Sequence, residues 1–389
     1  MKLNESLSYL RNVLTDIETF QKPSLKEDKG HLDHPEDLVF LGGSQGASRA
    51  VQASIDTVQN PSKVTIKWDG YPALIFGRDD QGRFSIMDKH MFNKKDGSGR
   101  QVYSPEQFVQ YDQARGVNRT DLHQLIANIW PGLEKADRSK GYYWGDLLFS
   151  QPLRPGTDKL YRFRANPNGI TYTVDPNSEV GKELTGKTAG IVVHQFIDAN
   201  AASTDDAVPL DGTIGKLKNN SNVAIVPAKM PITPNLKINN GLVRKANAVI
   251  KQYGPAVDQM LDSAPQARNT FNQLFTTYIN KKIVQGDLNN LLPDFMEYVQ
   301  SRPMTDSMRS KIMTHFEQNP DGLKGAFEIW AAIYALKMSI VDQLNKAAES
   351  SPVKGYLQDG TQTQEGFVSH GLKFVDRMGF SRQNLAGRT

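Results

Sequence analysis

The sequence contains no cysteine. Disulfides, thiolate metal sites and cysteine nucleophiles are therefore excluded, redox chemistry is disfavoured, and a cytoplasmic setting is expected. No apolar run reaches the ~18 residues that a membrane-spanning helix needs, so no membrane partner is expected. The first residues, Met1-Lys2-Leu3-Asn4-Glu5-Ser6-Leu7, lack an unbroken apolar core, and no signal peptide is expected. A large excess of one charge is missing as well. A net charge of +4 and a pI near 8.9 permit a polyanionic partner without demanding one. What is present, 38% hydrophobic and 23% charged residues, is the balance of a globular protein. A chain of 389 residues exceeds one ordinary core and points to about two or three domains.

Leu3, Leu7, Leu10, Leu14 and Ile17 recur at helical spacing and predict an amphipathic helix over residues 4–20. A polar loop follows to residue 36. Its His31, Asp33, His34 and Glu36 can be drawn as a metal cluster but read as solvated surface. The glycine-rich Gly42-Gly43-Ser44-Gln45-Gly46 precedes a helical stretch. It lacks the Gly-Lys-Ser/Thr of a phosphate loop and reads as the start of that helix. Strand patterns occupy residues 60–100 and return at 142–149, 170–174 and 191–193, with helices starting at Ser104-Pro105 and running through Leu122, Leu125, Ile126 and Ile129. Composition changes near residues 231–234. From about residue 239 to 350 the pattern is helical, and the last helix carries apolar residues on two stripes, as a central bundle helix does. Residues 365–377 read as two short strands, which need partners and are expected to return to the first sheet.

The fold class expected is α+β, with an antiparallel-sheet core and an inserted all-helical domain. Residues 1–50 form a helical lead-in packed on the core, 51–235 the first part of the core, 236–350 the helical insertion, and 351–389 the returning strands.

Within this frame Lys67-Trp68-Asp69-Gly70 is the stretch richest in chemistry. A lysine just ahead of an Asp-Gly turn can present its amine to the α-phosphate of a nucleoside triphosphate and hold the nucleotide as a phosphoramidate. At pH 7 only on the order of one lysine in a thousand is unprotonated, so the amine needs neighbouring cations or desolvation. The match alone is weak, and Lys94-Lys95-Asp96-Gly97 repeats it. Lys67, however, joins the β-prone Val64-Thr65-Ile66 to a second strand-like run, whereas Lys94 lies in a polar, glycine-rich turn.

The order of motifs resembles the covalent nucleotidyltransferase superfamily of ATP-dependent RNA and DNA ligases and capping enzymes. The motifs are Lys67-Trp68-Asp69-Gly70, then Trp144-Gly145-Asp146-Leu147-Leu148-Phe149, then Glu365-Gly366-Phe367-Val368, then Leu372-Lys373-Phe374-Val375. The resemblance implies a nucleotidyltransferase core with Lys67 as nucleophile, aided by Lys373 at the α-phosphate. It implies a nucleotide site of Asp69, Gly70, Asp146, Tyr172, Glu365 and Lys373, with Tyr172 stacking on the base. Glu365 and Asp146 would hold Mg²⁺, and ATP would be the nucleotide. Three departures stand out: an aspartate at 146 where a glutamate is usual, a single lysine at 373, and a long interval before Glu365. Ala189-Gly190-Ile191-Val192-Val193 sits closer in the sequence as a Glu-Gly equivalent but lacks the acid, so Glu365 is preferred; Gly190-Ile191-Val192-Val193-His194 is a further motif.

Together with Tyr71-Pro72-Ala73 and the closing Phe380-Ser381-Arg382-Gln383-Asn384, these motifs also resemble a poorly characterised group of RNA-ligase-like proteins from large tailed phages. That resemblance implies work in the infected host cell. The chain ends soon after Lys373, so no appended OB-fold is expected, which suits a phage-type RNA ligase. The activity expected is ATP-dependent joining of 5′-phosphate to 3′-hydroxyl ends by a monomer, with RNA favoured over DNA. Arg78, Lys89, Arg377 and Arg382 are candidates for polynucleotide grip, with solvated surface charge as their ordinary reading. Other nucleotidyl transfers, and a non-catalytic nucleic-acid or virion-associated binding module, are the alternative readings.

Overall fold

The computed structural model describes residues 33–68, 70–136, 138–164, 170–210, 217, 222–228, 230, 232–288, 291–356, 360, 362, 363 and 366–379. The helix expected over 4–20, together with His31, Asp69, Glu365 and Arg382, lies outside them. The described part is α+β, with sheets whose pairings are antiparallel except for one parallel pair.

The largest sheet is six-stranded. In it β3 (Phe84–Met87), β2 (Ala73–Arg78), β4 (Gly141–Phe149) and β7 (Ala189–Ile197) run antiparallel, with β8 (Val208–Pro209) at an edge and β9 (Val223–Pro227) parallel to β7. Helices α1 to α8 are named in chain order below. Two of them, α2 (Pro105–Ala114) and α3 (Thr120–Ala136), cover this sheet, and their Phe108, Ile126, Ile129 and Leu133 share a core with Leu74, Phe76, Tyr142 and Ile191. The Ser104 hydroxyl caps α2 by accepting from Gln107 N at 3.3 Å, as the Ser-Pro start predicts. A second sheet joins β5 (Tyr161–Arg164), β6 (Thr171–Val174), β10 (Val353–Tyr356) and β11 (Gln362–Thr363). The third is small: β1 (Thr65–Ile66), β12 (Phe367–Ser369) and β13 (Leu372–Phe374).

The helical layer consists of α1 (Leu38–Gln59), α4 (Asn240–Asp262), α5 (Arg268–Gln285), α6 (Leu291–Ser301), α7 (Asp306–Gln318) and α8 (Pro320–Ala348). Helix α1 belongs in this bundle, packed on α4 and α8 with its Phe40 ring stacked on Phe275 at 4.7 Å. The helical unit is thus completed by residues that precede the first strand. Helix α8 carries apolar residues all round because it serves two cores. Its Phe327, Trp330 and Ile333 fill the bundle, while Ile340, Val341 and Leu344 reach the core under the sheets. No described helix is long and apolar enough to cross a membrane.

The glycine cluster at 42–46 is a kink inside α1, with Gly43 at φ 56°. A kink frees backbone N–H groups, and here an internal carboxylate takes one. Asp258 of α4 accepts from Ser44 N at 2.8 Å and from Ser44 Oγ at 2.5 Å. A Cβ on Gly43 would stand 2.1 Å from Asp258 Oδ1, so the close approach requires glycine. The anion at this turn is part of the chain itself.

Candidate active site

Lys67 immediately follows β1. Thr65 pairs with Val368, Ile66 with Phe367, and Lys67 N donates to Gly366 O at 2.9 Å. The hairpin β12–β13 closes through His370 and Gly371, both at positive φ, and pairs Val368 with Lys373. Side chains alternate along strands, so Thr65, Lys67, Val368 and Lys373 share one face. The other face buries Ile66, Phe367 and Phe374 in the core. That buried face fixes the register, because a slip of one residue would turn both lysines into the core. Gly366, opposite Lys67, has φ 122°, and a Cβ there would meet Val375 Cγ2 at 2.4 Å.

The two amines sense each other. Burial pushes the pKa of Lys373 down and the charge of Lys67 pushes it further, with Arg377 acting in the same direction and Asp33 and Asp37 opposing. The Lys373 backbone is anchored by its N–H donating to Asp33 O at 2.8 Å.

Asp146 arrives from β4. Ala73 pairs with Asp146, Tyr71 N donates to Leu147 O at 3.0 Å, and Leu147 N donates to Pro72 O at 3.1 Å. These bonds clamp the turn after Lys67 onto β4. Gly70 lies so close that a Cβ would stand 2.5 Å from Asp146 Cβ and 2.8 Å from Leu147 O. Gly70→Ala should therefore either lift the turn from β4 or strain it. We expect a loss of about 1–3 kcal/mol in chemical denaturation, and an unchanged midpoint would show that the turn is not held there.

His194 is a site residue that the sequence reading passed over. Its Nε2 lies 3.1 Å from Asp146 Oδ2. In the β4–β7 ladder Trp144 pairs with Gln195 and Gly145 with Val193, which leaves His194 as an extra residue, a β-bulge. Bulges re-aim side chains. The only signal in the sequence was a histidine at the end of the apolar run Gly190-Ile191-Val192-Val193.

Several expected site residues have other surroundings. Tyr172 is only 2% exposed, with its ring against Trp68 at 4.9 Å and Phe163 at 5.7 Å, so it is a core side chain with no face open to a base. Arg78 donates to Gly82 O in its own hairpin and to Glu134 O on α3, tying the two together. Lys89 lies over the Trp144 ring at 5.4 Å. Lys94, the decoy, pairs with Asp96 at 3.5 Å in a turn.

Arg377 is buried, against the surface reading. It donates to Glu36 Oε1 at 3.1 Å, to both Asp37 oxygens and to Asn280 Oδ1 at 2.7 Å. Lys337 meets the same Glu36 oxygen at 2.6 Å, with both side chains fully buried. Glu36 therefore belongs to a buried ionic knot, against its reading as solvated loop. Burial alone would raise its pKa, but Lys337, His34 and Arg377 outweigh that and hold it at about 2. His34 beside it is kept well below its ordinary value by burial and by Arg377.

Among the described residues no group of three or more His, Asp or Glu side chains converges as a metal site. A family model described as a family of unknown function (DUF6267) matches residues 29–388. No curated protein and no solved structure matches the chain.

Proposed function

The chain belongs to the DUF6267 family of unknown function, and from its site geometry together with the order of its motifs we propose that it is a covalent nucleotidyltransferase that joins polynucleotide ends, with RNA favoured by the motif resemblance alone. The observation that carries this reading is the pair Lys67 and Lys373, drawn from opposite ends of the chain onto one face of a small sheet. Lys373 is partly desolvated and feels the charge of Lys67, and such a pair favours an anion bound between the amines or the loss of a proton from one of them. A nucleophilic lysine facing a triphosphate needs both conditions.

In this reading Lys67 Nζ, having lost its proton, attacks the α-phosphorus of ATP. The bond to the β-phosphate oxygen breaks and pyrophosphate leaves. The AMP then passes to a 5′-phosphate, and a 3′-hydroxyl displaces it to form the phosphodiester. The Lys373 ammonium neutralises charge that builds on the α-phosphate oxygens. Asp146 is partly exposed, and a single carboxylate supplemented by phosphate oxygens and water is an ordinary way to hold Mg²⁺. Bound there, with Glu365 as the second implied carboxylate, Mg²⁺ would supply charge neutralisation on the triphosphate. His194 holds Asp146 in orientation through its Nε2 contact.

The test is retention of label from α-labelled ATP on the denatured chain in the presence of Mg²⁺, run in parallel with GTP and NAD. Label from none of the three would end the proposal. In the same assay His194→Ala should raise the ATP concentration for half-maximal labelling by about tenfold and change the maximal rate less. His194→Gln, which keeps a donor, should recover most of that affinity. A purely structural histidine would instead change the melting temperature and leave the ATP dependence alone.

A further inference from the structure

The reassignment of Arg78 and Arg377 to structural bonds removes them as contacts for a polynucleotide, and a different surface offers what they do not. Beside the Lys67 turn lies a cleft of about 330 Å³, bounded by the end of β4 and the loop after it on one side and by β5 on the other. Three arginines line it, Arg154, Arg162 and Arg164, and among the described residues no lining residue is acidic. Arg162 and Arg164 alternate with the buried Tyr161 and Phe163, so both stand on the exposed face of β5. Arg164 is steadied by Thr171 Oγ1 at 3.1 and 3.2 Å, and Arg162 by Asp158. These bonds hold the guanidinium groups in place and consume one of the three charges. At the mouth stands Tyr71, 65% exposed, with its backbone fixed by the bond to Leu147 O.

A large exposed aromatic on a pinned backbone next to fixed guanidinium groups is a stacking platform with a phosphate track beside it. We propose that this cleft binds single-stranded nucleic acid, the arginines contacting successive phosphates and Tyr71 stacking on an unpaired base. A single strand fits better than a duplex because only unpaired bases offer a free face to the tyrosine. The cleft borders both Gly70 and Asp146 through their chain neighbours Tyr71 and Leu147, so a strand lying in it would pass beside the turn that follows Lys67. The role of that strand as the end to be joined rests on the proposed activity, whereas binding itself does not.

The experiment uses the full-length chain and a short fluorescent single-stranded oligonucleotide, followed by anisotropy over a series of salt concentrations. Arg154→Glu and Arg164→Glu should each weaken binding by about tenfold and lower the slope of log affinity against log salt by about one. Tyr71→Ala should weaken binding without altering the slope, and Tyr71→Phe should bind as the wild type does. All three positions are at the surface, and unchanged melting temperatures verify the fold. Unchanged affinity in both arginine variants overturns the inference. So does displacement of the oligonucleotide by ATP alone, which would make the cleft a triphosphate site. Labelling at Lys67 reports separately on the activity. A chain that labels but binds no strand retains the activity and loses this inference, and one that binds but never labels does the reverse.

Discussion

Lys67→Ala should retain no label from α-labelled ATP, a loss of more than about a thousandfold, because no neighbouring group can replace an amine whose bond to phosphorus is the intermediate. Lys67→Arg should be equally inert, since a guanidinium does not lose its proton at any working pH. Lys94→Ala should label normally; it shares the four-residue pattern but lies in a turn, paired with Asp96. Lys373→Met makes the sharper test, because it keeps most of the side-chain volume and removes only the charge. Repulsion between the two ammonium groups favours states in which one of them is neutral. Without Lys373, the pH at which labelling reaches half its maximum should move upward and the rate at pH 7 should fall. Label that survives Lys67→Ala would remove the covalent mechanism, and a pH profile indifferent to Lys373→Met would remove the role of Lys373 in it.

What could be read from the sequence divides along the range of the interactions involved. The two Lys-x-Asp-Gly copies separate on their immediate neighbours, since Thr65-Ile66 forms an edge strand and the Lys94 stretch a turn. The returning hairpin is legible from the alternation of Phe367, Ser369, Leu372 and Phe374, together with the rule that strands need partners. Nothing local shows that α1 joins the bundle. The glycines at 42 to 46 lower helix propensity, and the compensation comes from Asp258 on another helix. Arg377 looks like a surface charge because burial of a cation depends on the anions it meets, and Glu36 and Asp37 lie at the other end of the chain. Tyr172 alternates as any half-buried strand residue does, and which face is covered is decided by Trp68 and Phe163. His194 escaped because a bulge is a property of the ladder and not of one strand.

Glu36→Gln should be among the most destabilising single changes in the molecule, at about 3–5 kcal/mol and a fall in melting temperature on the order of 10 °C. The side chain keeps its size but no longer carries the charge that Lys337 and Arg377 meet in a fully buried setting. The cost comes from leaving those cations uncompensated, and a rescue checks that cause. Glu36→Leu combined with Lys337→Met removes both members of the closest pair and should recover much of the loss, with Arg377 still held by Asp37 and Asn280. The same origin fixes the response to acid. The folded-state pKa of Glu36 lies below its unfolded value, so the stabilisation is fully present above about pH 4.5. It is lost as pH falls toward 2, by on the order of 3 kcal/mol in all. Wild type should weaken through that window and Glu36→Gln much less, as read by denaturation at stepped pH. The knot also bears on the chemistry. Arg377 follows the strand that carries Lys373, and Asp33, whose carbonyl holds the Lys373 backbone, precedes Glu36 by three residues. Loosening the knot should let the hairpin fray from β1, so labelling by Glu36→Gln should fail at a lower temperature than in the wild type, ahead of global unfolding. If labelling and global unfolding fall together, the knot stabilises the fold as a whole without specifically holding Lys373 beside Lys67.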